Sequence, residues 1–335
     1  MTGPRGVGGE YGSNGRIPLA SPDGQKEAHR QLVIRPWAPL RRAHGERAID
    51  VLFILPLLVI LAGFLVYPLV YGIVLSLHDS RGFELTTFVG LDNYARAILG
   101  DAVFQRSLLN TVLFTGVAVV LQTGLGLFLA LLVAGRRRGQ DLLRFVFFLP
   151  FVLAPVAVGA VWKFLYAPFF GIIPTLGSAV GLHTATVAPL ADPDWALWAI
   201  MLAFLWRFAG FNMVVYLAGI QAIPRELDEL AVLEGAGRIQ RFRQVTWPLL
   251  WPQTFSLVLL TTLGSLRIFD MVWIMTGGGP SHATETVATD VYSTAFRFLQ
   301  VGYAQAMAMI LLIVILLITI VEYRLLDRRA ELVSS

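Results

Sequence analysis

Between Val51 and Leu77 the chain runs for 27 residues without a charged side chain. As a helix rising about 1.5 Å per residue, that run exceeds the roughly 30 Å hydrocarbon core of a bilayer, so it spans with some tilt. A secretory signal would have a shorter apolar core followed by a small-residue cleavage site, and Leu77-His78-Asp79 offers none. The remainder agrees: of 335 residues, 56% are hydrophobic and only 14% charged, with a mean hydropathy of +0.68. Those values exclude a soluble globular domain and exclude disorder for most of the chain. The chain has no Cys, which removes disulfides, iron–sulfur ligation and thiolate catalysis, and leaves zinc only His, Asp and Glu.

Five further spans are expected, at Thr111–Ala134, Phe145–Tyr166, Ala196–Ile220, Pro248–Met275 and Ala304–Tyr323. The expected fold is therefore an all-α integral membrane protein of six transmembrane helices in residues 48–335, preceded by a disordered tail at 1–47 rich in Gly, Pro, Ser and Arg. Lys and Arg residues give the orientation. The tail, the loop at Gly135–Arg144, the segment Gln221–Trp247 and the C-terminal end together hold 19, and the three loops on the other side hold 4. Both termini and the 221–247 segment are accordingly placed in the cytoplasm. The long semi-apolar loop Ala167–Trp195 reads as a short re-entrant or interfacial helix, and Gly277-Gly278-Gly279-Pro280 is turn chemistry. No internal repeat is evident in the spans, which weakens a secondary transporter built on inverted repeats.

The sharpest local signal lies between the fourth and fifth spans. Pro224 suits a first helical turn, and Glu226, Asp228 and Glu229 complement the positive end of the helix dipole. Leu227, Leu230, Ala231 and Glu234 follow three-and-four spacing, so the short helix is amphipathic. Gly235 and Gly237 let the chain turn, and a second helix carrying Arg238, Arg241 and Arg243 returns to the bilayer. By composition alone, this unit could be an amphipathic loop resting on headgroups.

Its spacing narrows the choice. Glu229-x-Ala231, Gly235 and then Val245-x-Trp247-Pro248 resemble the cytoplasmic motif of permease subunits of binding-protein-dependent ABC importers, in which Glu-Ala-Ala is followed by Gly and by Ile-x-Leu-Pro. Leu230 and Trp247 depart mildly from that pattern. The resemblance extends over nearly all the chain beyond the tail and points to the first permease of the carbohydrate, maltose-type branch. Phe88-Val89-Gly90-Leu91-Asp92-Asn93-Tyr94, Asn110-Thr111, Trp162-Lys163, Trp206-Arg207, Phe269-Asp270 and Met275-Thr276-Gly277-Gly278-Gly279-Pro280 each resemble a family pattern. At Gly171-Ile172-Ile173-Pro174 the chain departs from the family's frequent Gly-x-x-Asn.

This resemblance implies a type I ABC importer permease fold in a bacterial inner membrane. It implies a coupling helix, Arg225 to Glu234, seated in a groove of a separate ATPase subunit, with Glu229 facing an Arg there. Arg225, Glu226, Glu229, Leu230, Ala231, Glu234, Gly235 and Ala236 form that contact, and Gly235 supplies a turn that a Cβ would obstruct. The implied partners are a second homologous permease, two copies of the ATP-binding subunit and an extracytoplasmic solute-binding protein. ATP and Mg belong to the ATPase, no cofactor is expected in this chain, and no nucleic acid is expected among its partners.

The residues themselves argue against an enzyme. A P-loop needs Gly-x-x-x-x-Gly-Lys-Ser/Thr, and the two Lys, Lys26 and Lys163, are followed by Glu27 and Phe164. The five His, at 29, 44, 78, 183 and 282, all lie outside the expected spans. Two alternatives are retained: a multi-span glycosyltransferase using Asp79 and Glu84 in the first external loop, and an ion-coupled secondary transporter. Within the permease reading, a glycerol phosphate or polyol remains an alternative solute.

Ionisable residues at membrane depth usually face the bundle interior or an aqueous cavity. Arg207, Arg267 and Asp270 qualify; the last two, three apart, are expected to reach each other, either as a structural ion pair or as solute contacts. Thr261, Gly264, Ser265 and Ile268 form a small or polar stripe on the fifth span, and Phe208, Phe211 and Asn212 lie at comparable depth on the fourth. Such a stripe serves either helix packing or a weak transient solute site of aromatic faces and hydrogen-bonding groups.

Overall fold

A computed structural model describes residues 44–334 except 83, 85, 136–138, 169, 173–174, 176 and 178–187; for 44–52 and 326–334 it describes the backbone alone. The expected tail up to residue 43 and much of the expected re-entrant loop lie outside the described residues.

The chain divides into two units at Phe64. The first contains helix α1 (His44–Leu61), with Pro56 inside it, followed by a wide π turn that begins at Ala62. In the second, α2 (Tyr67–Ser76) leads to a two-stranded antiparallel ribbon, β1 (His78–Asp79) and β2 (Thr87–Phe88), pairing His78 with Phe88 and Asp79 with Thr87. A short α3 (Asp92–Ala95) follows, and its Asn93 and Tyr94 pin the end of α2. Asn93 Nδ2 donates to the carbonyls of Ser76 and His78 at 2.9 and 3.0 Å, and the Tyr94 hydroxyl meets the Ser76 hydroxyl at 2.6 Å.

Next come α4 (Ala102–Val133), α5 (Gln140–Val152), α6 (Pro155–Leu165), α7 (Ala196–Ala222), α8 (Arg225–Leu233), α9 (Arg238–Arg241), α10 (Trp247–Leu249), α11 (Trp251–Leu266), α12 (Asp270–Met275), α13 (Val287–Tyr292) and α14 (Val301–Ser334). Four candidate spans are continuous: Phe53–Ser76, Ala102–Val133, Ala196–Ala222 and Val301–Leu325. The second begins nine residues before Thr111, because Asp101 accepts from the Val103 and Phe104 amides and so caps a helix two turns longer than expected.

The expected third and fifth spans are broken. α5 and α6 meet at 101°, with Leu153 and Ala154 extended ahead of Pro155, as a residue before proline prefers. The fifth bends by 63° at Leu250 and stops at Leu266, then restarts at Asp270. α7 is the centre of the bundle: Phe114 of α4 meets Phe204 edge-on at 5.2 Å, and Ile200, Met213 and Tyr216 are fully enclosed. Outward faces of α4 and α14 carry exposed Leu, Val and Ile, an arrangement suited to acyl chains and not to water.

Candidate functional site

Three regions carry the chemistry. The first is α8 and its turn. Ala236 N–H bonds to Ala231 O at 2.9 Å and Gly235 N–H to Val232 O at 3.0 Å, with Gly235 at φ 81°, a Schellman closure. A Cβ on Gly235 would meet no atom within 4 Å among the described residues, so the turn requires glycine for its left-handed backbone. Asp228 and Arg241 join α8 to α9 at 2.9 Å. No residue of α8 is buried: Leu230 is 55% exposed and Leu233 83%, with Ile239 of α9 at 75%. Arg225, Glu226, Glu229 and Glu234 are exposed, and Ala231 and Ala236 are half-buried. Beneath the segment lies a cavity of about 900 Å³ lined by Leu131 and Leu132 of α4 together with Arg225, Arg238 and Phe242.

The second region is the break between α5 and α6. Arg207 is nine-tenths buried, and its Nη2 and Nε donate to the Leu153 carbonyl at 3.2 and 3.4 Å. Its guanidinium lies 4.5 Å from the centre of the Phe208 ring. Phe211 stacks on Phe151 at 4.7 Å. Trp162 and Trp206 meet edge-on at 5.8 Å, so two motif pairs distant in sequence form one contact.

Here several expectations are corrected. Arg267 and Asp270 form no ion pair among the described residues, because the helix ends between them; Arg267 Nε turns back to Leu263 O at 3.0 Å. Asp270 instead lies close enough for its charge to act on Arg207. The stripe on α11 divides: Thr261 and Ser265 are buried, Ser265 bonding to Thr261 O at 2.7 Å, whereas Gly264 is exposed. Ile268 is buried beyond the helix end. Asn212 is 1% exposed, pressed against Gly126 of α4. Three-and-four spacing finds a helical face but does not say which neighbour covers it.

The third region is the turn after α12, whose residues 275–280 carry turn chemistry and resemble a family pattern. Asn110 Nδ2 donates to the carbonyls of Ala283 and Glu285 at 3.0 and 2.9 Å, and Thr111 Oγ1 accepts from Val287 N–H at 3.0 Å. The loop is thereby tied to α4. Gly278, at φ 92°, lies where a Cβ would run into the Glu285 carboxylate. Glu285 and Asp290 are both more than nine-tenths buried. Burial, then the Glu285 and Asp101 carboxylates, push Asp290 up to about 7. A further acid contact is that of half-buried Glu322 of α14, which accepts from Thr262 Oγ1 at 2.7 Å; a lone carboxylate inside an apolar run is the sequence signal for it. Asp79 and Glu84 are exposed, Asp79 within the ribbon opposite Thr87.

Comparison with known proteins agrees with this architecture. Residues 122–332 match the family model described as binding-protein-dependent transport system inner membrane component. The chain is 35% identical over 282 residues to the probable ABC transporter permease protein YurN of Bacillus subtilis, covering 83% of this chain and 96% of that one. It is 34% identical over 282 residues to the trehalose/maltose transport system permease protein MalF of Thermococcus litoralis, covering 83% and 93%. A solved bacterial ABC transporter involved in the import of alginate has a chain of the same fold, with TM-score 0.74 and 22% identity over 85% of this chain and 96% of that one.

Proposed function

Since the chain belongs to the binding-protein-dependent transport system inner membrane components and is a permease subunit, not itself an enzyme, we propose that it forms half of the pathway of an ATP-driven sugar importer. The observation that carries this reading is the α8 segment: a rigidly terminated helix with no buried residue and with Leu230 and Leu233 outward. Apolar side chains held that way need a protein cover. A separate ATPase subunit supplies it, with Glu229 facing an Arg of that subunit and Gly235 setting the helix end. Two ATPase copies hold ATP and Mg, a second permease completes the pathway, and an extracytoplasmic binding protein delivers solute.

In this reading the two bent pairs each count as one span, giving six, with both termini and the 221–247 segment in the cytoplasm of a bacterial inner membrane. The sugar assignment draws on relatives named for trehalose/maltose and lactose transport; a relative named for sn-glycerol-3-phosphate keeps that solute class as the second choice. Gly264, Arg267 and Asp270 on the exposed side of α11 and α12, with Phe208 and Phe211, face the pathway, while Thr261, Ser265, Ile268 and Asn212 hold helices together. The exposure of Gly264, Arg267 and Asp270 supports their side of that division, because a pathway between two permeases is lined by what one permease leaves uncovered.

The test is Leu233→Asp together with Glu229→Lys in the reconstituted complex. Both should insert normally and abolish solute-stimulated ATP hydrolysis, and normal stimulation in either removes the coupling assignment. Uptake that persists without any ATPase and follows an ion gradient would instead establish the secondary transporter.

A further inference from the structure

A cavity of about 480 Å³ lies beside the turn after α12, lined among others by Arg96, Asp101, His282, Glu285, Asp290 and Arg297. Its acidic wall is unfinished. Glu285 is 6% exposed and Asp290 7%, and one oxygen of each, Oε1 and Oδ2, has no hydrogen-bond partner. The other Glu285 oxygen meets His282 Nδ1 at 3.1 Å, and Asp101 accepts from the Tyr303 hydroxyl at 2.7 Å. Buried carboxylate oxygens without donors are costly, and neighbouring carboxylates raise the cost.

The chain's own cations do not fill the gap. The Arg96 guanidinium lies 4.1 Å from the centre of the Tyr303 ring, and that of Arg297 lies 4.5 Å from the Trp273 ring. Neither comes within 4.0 Å of a carboxylate among the described residues. No group of three or more His, Asp or Glu among those residues is placed to hold a metal ion. Sugar hydroxyls would leave the repulsion between carboxylates intact, whereas a positive charge relieves it.

We propose that this cavity is a socket for a basic side chain, an ammonium or guanidinium group, presented by the extracytoplasmic solute-binding protein. The proposal rests on the importer reading above, which places this turn on the external side. The incoming cation sets its charge beside Glu285 and Asp290, which line the cavity, and displaces the proton that Asp290 carries near neutral pH, which passes to water. His282, Arg96 and Arg297 at the rim and Asp101 and Tyr303 on the wall are the other titratable groups facing Asp290. Because Asp290 titrates near 7, docking tightens about tenfold from pH 6 to pH 8.

The test uses the complete complex in nanodiscs, titrated with its solute-loaded binding protein, with ATP hydrolysis as readout. Glu285→Gln with Asp290→Asn should raise the half-stimulating concentration at least tenfold and abolish its pH dependence. Agmatine, which carries both cationic groups, should compete with the binding protein on the unmutated complex, an arm that needs no variant to fold. Half-stimulation unmoved by the double substitution, or by agmatine, overturns the socket alone. Competition by maltose in place of agmatine assigns the cavity to solute and overturns it too. No stimulation of the unmutated complex would overturn the importer reading and the socket together.

Discussion

The guanidinium of Arg207 donates to the carbonyl oxygen of Leu153, 54 residues earlier, at 3.2 Å from Nη2. That carbonyl is released where α5 stops before Pro155. A broken helix inside a membrane leaves backbone groups that no water reaches, and a buried arginine is equally expensive alone. Each settles the other, and Phe208 covers the guanidinium face.

Arg207→Met should therefore lower the thermal midpoint of the purified chain in detergent, with a loss of about 1–3 kcal/mol from the orphaned carbonyl. Arg207→Lys, which keeps one donor, should fall between. A midpoint unchanged in the Met variant would show that the break is supported elsewhere.

Gly235 is fixed by its backbone, so Gly235→Ala should destabilise the α8 closure by roughly 1–2 kcal/mol. Gly235→Asn, better tolerated in the left-handed region, should cost less. The measure is ATPase affinity for the permease, which should weaken in the order Gly, Asn, Ala; equal affinity for all three contradicts the Schellman argument.

Gly126 and Gly124 offer a comparison within one helix. A Cβ at Gly126 collides with Asn212, while one at Gly124 would have no atom of a neighbouring element within 4 Å among the described residues. Gly126→Val should abolish the folded monodisperse fraction on size-exclusion, overpacking costing about 1–3 kcal/mol or more, and Gly124→Val should leave it intact. The reverse order would mean α4 packs on α7 by another face.

On α11, Gly264→Leu should block solute uptake in a chain that still inserts and binds the ATPase. Ser265→Ala should change stability but leave uptake kinetics close to normal, since Ser265 is enclosed. Altered solute affinity in Ser265→Ala would return that residue to the pathway.

Asp290 makes stability depend on pH. Its carboxyl sits near 7 in the fold and about 4 when unfolded, so between those values the folded chain retains a proton that the unfolded chain releases. Stability is complete below about pH 4 and declines as pH rises through 7. Thermal midpoints should fall from pH 5 to pH 7.5, and Asp290→Asn should flatten that slope. An identical slope in the variant would place the titration on another group.

Much of this protein is written in local sequence. The uncharged run at 51–77 dictates a membrane span, because a bilayer solvates a helix by length and apolarity alone. Glu226, Asp228, Ala231, Gly235 and Ala236 dictate a short helix and its stop, since dipole, spacing and backbone conformation act over a few residues. What no local pattern contains is which side chain covers which. Pro155 signals a kink, but only packing brings Arg207 to the carbonyl it frees. The three-residue spacing of Arg267 and Asp270 promises a pair that the helix end at Leu266 undoes. The spacing of Thr261 and Ser265 marks one helical face, and only the folded bundle shows both enclosed by other helices. Glu285 and Asp290 become a site only because Asn110 and Thr111, some 175 residues earlier, hold their loop in place. Such contacts are decided by burial between distant segments, and burial is a property of the folded bundle.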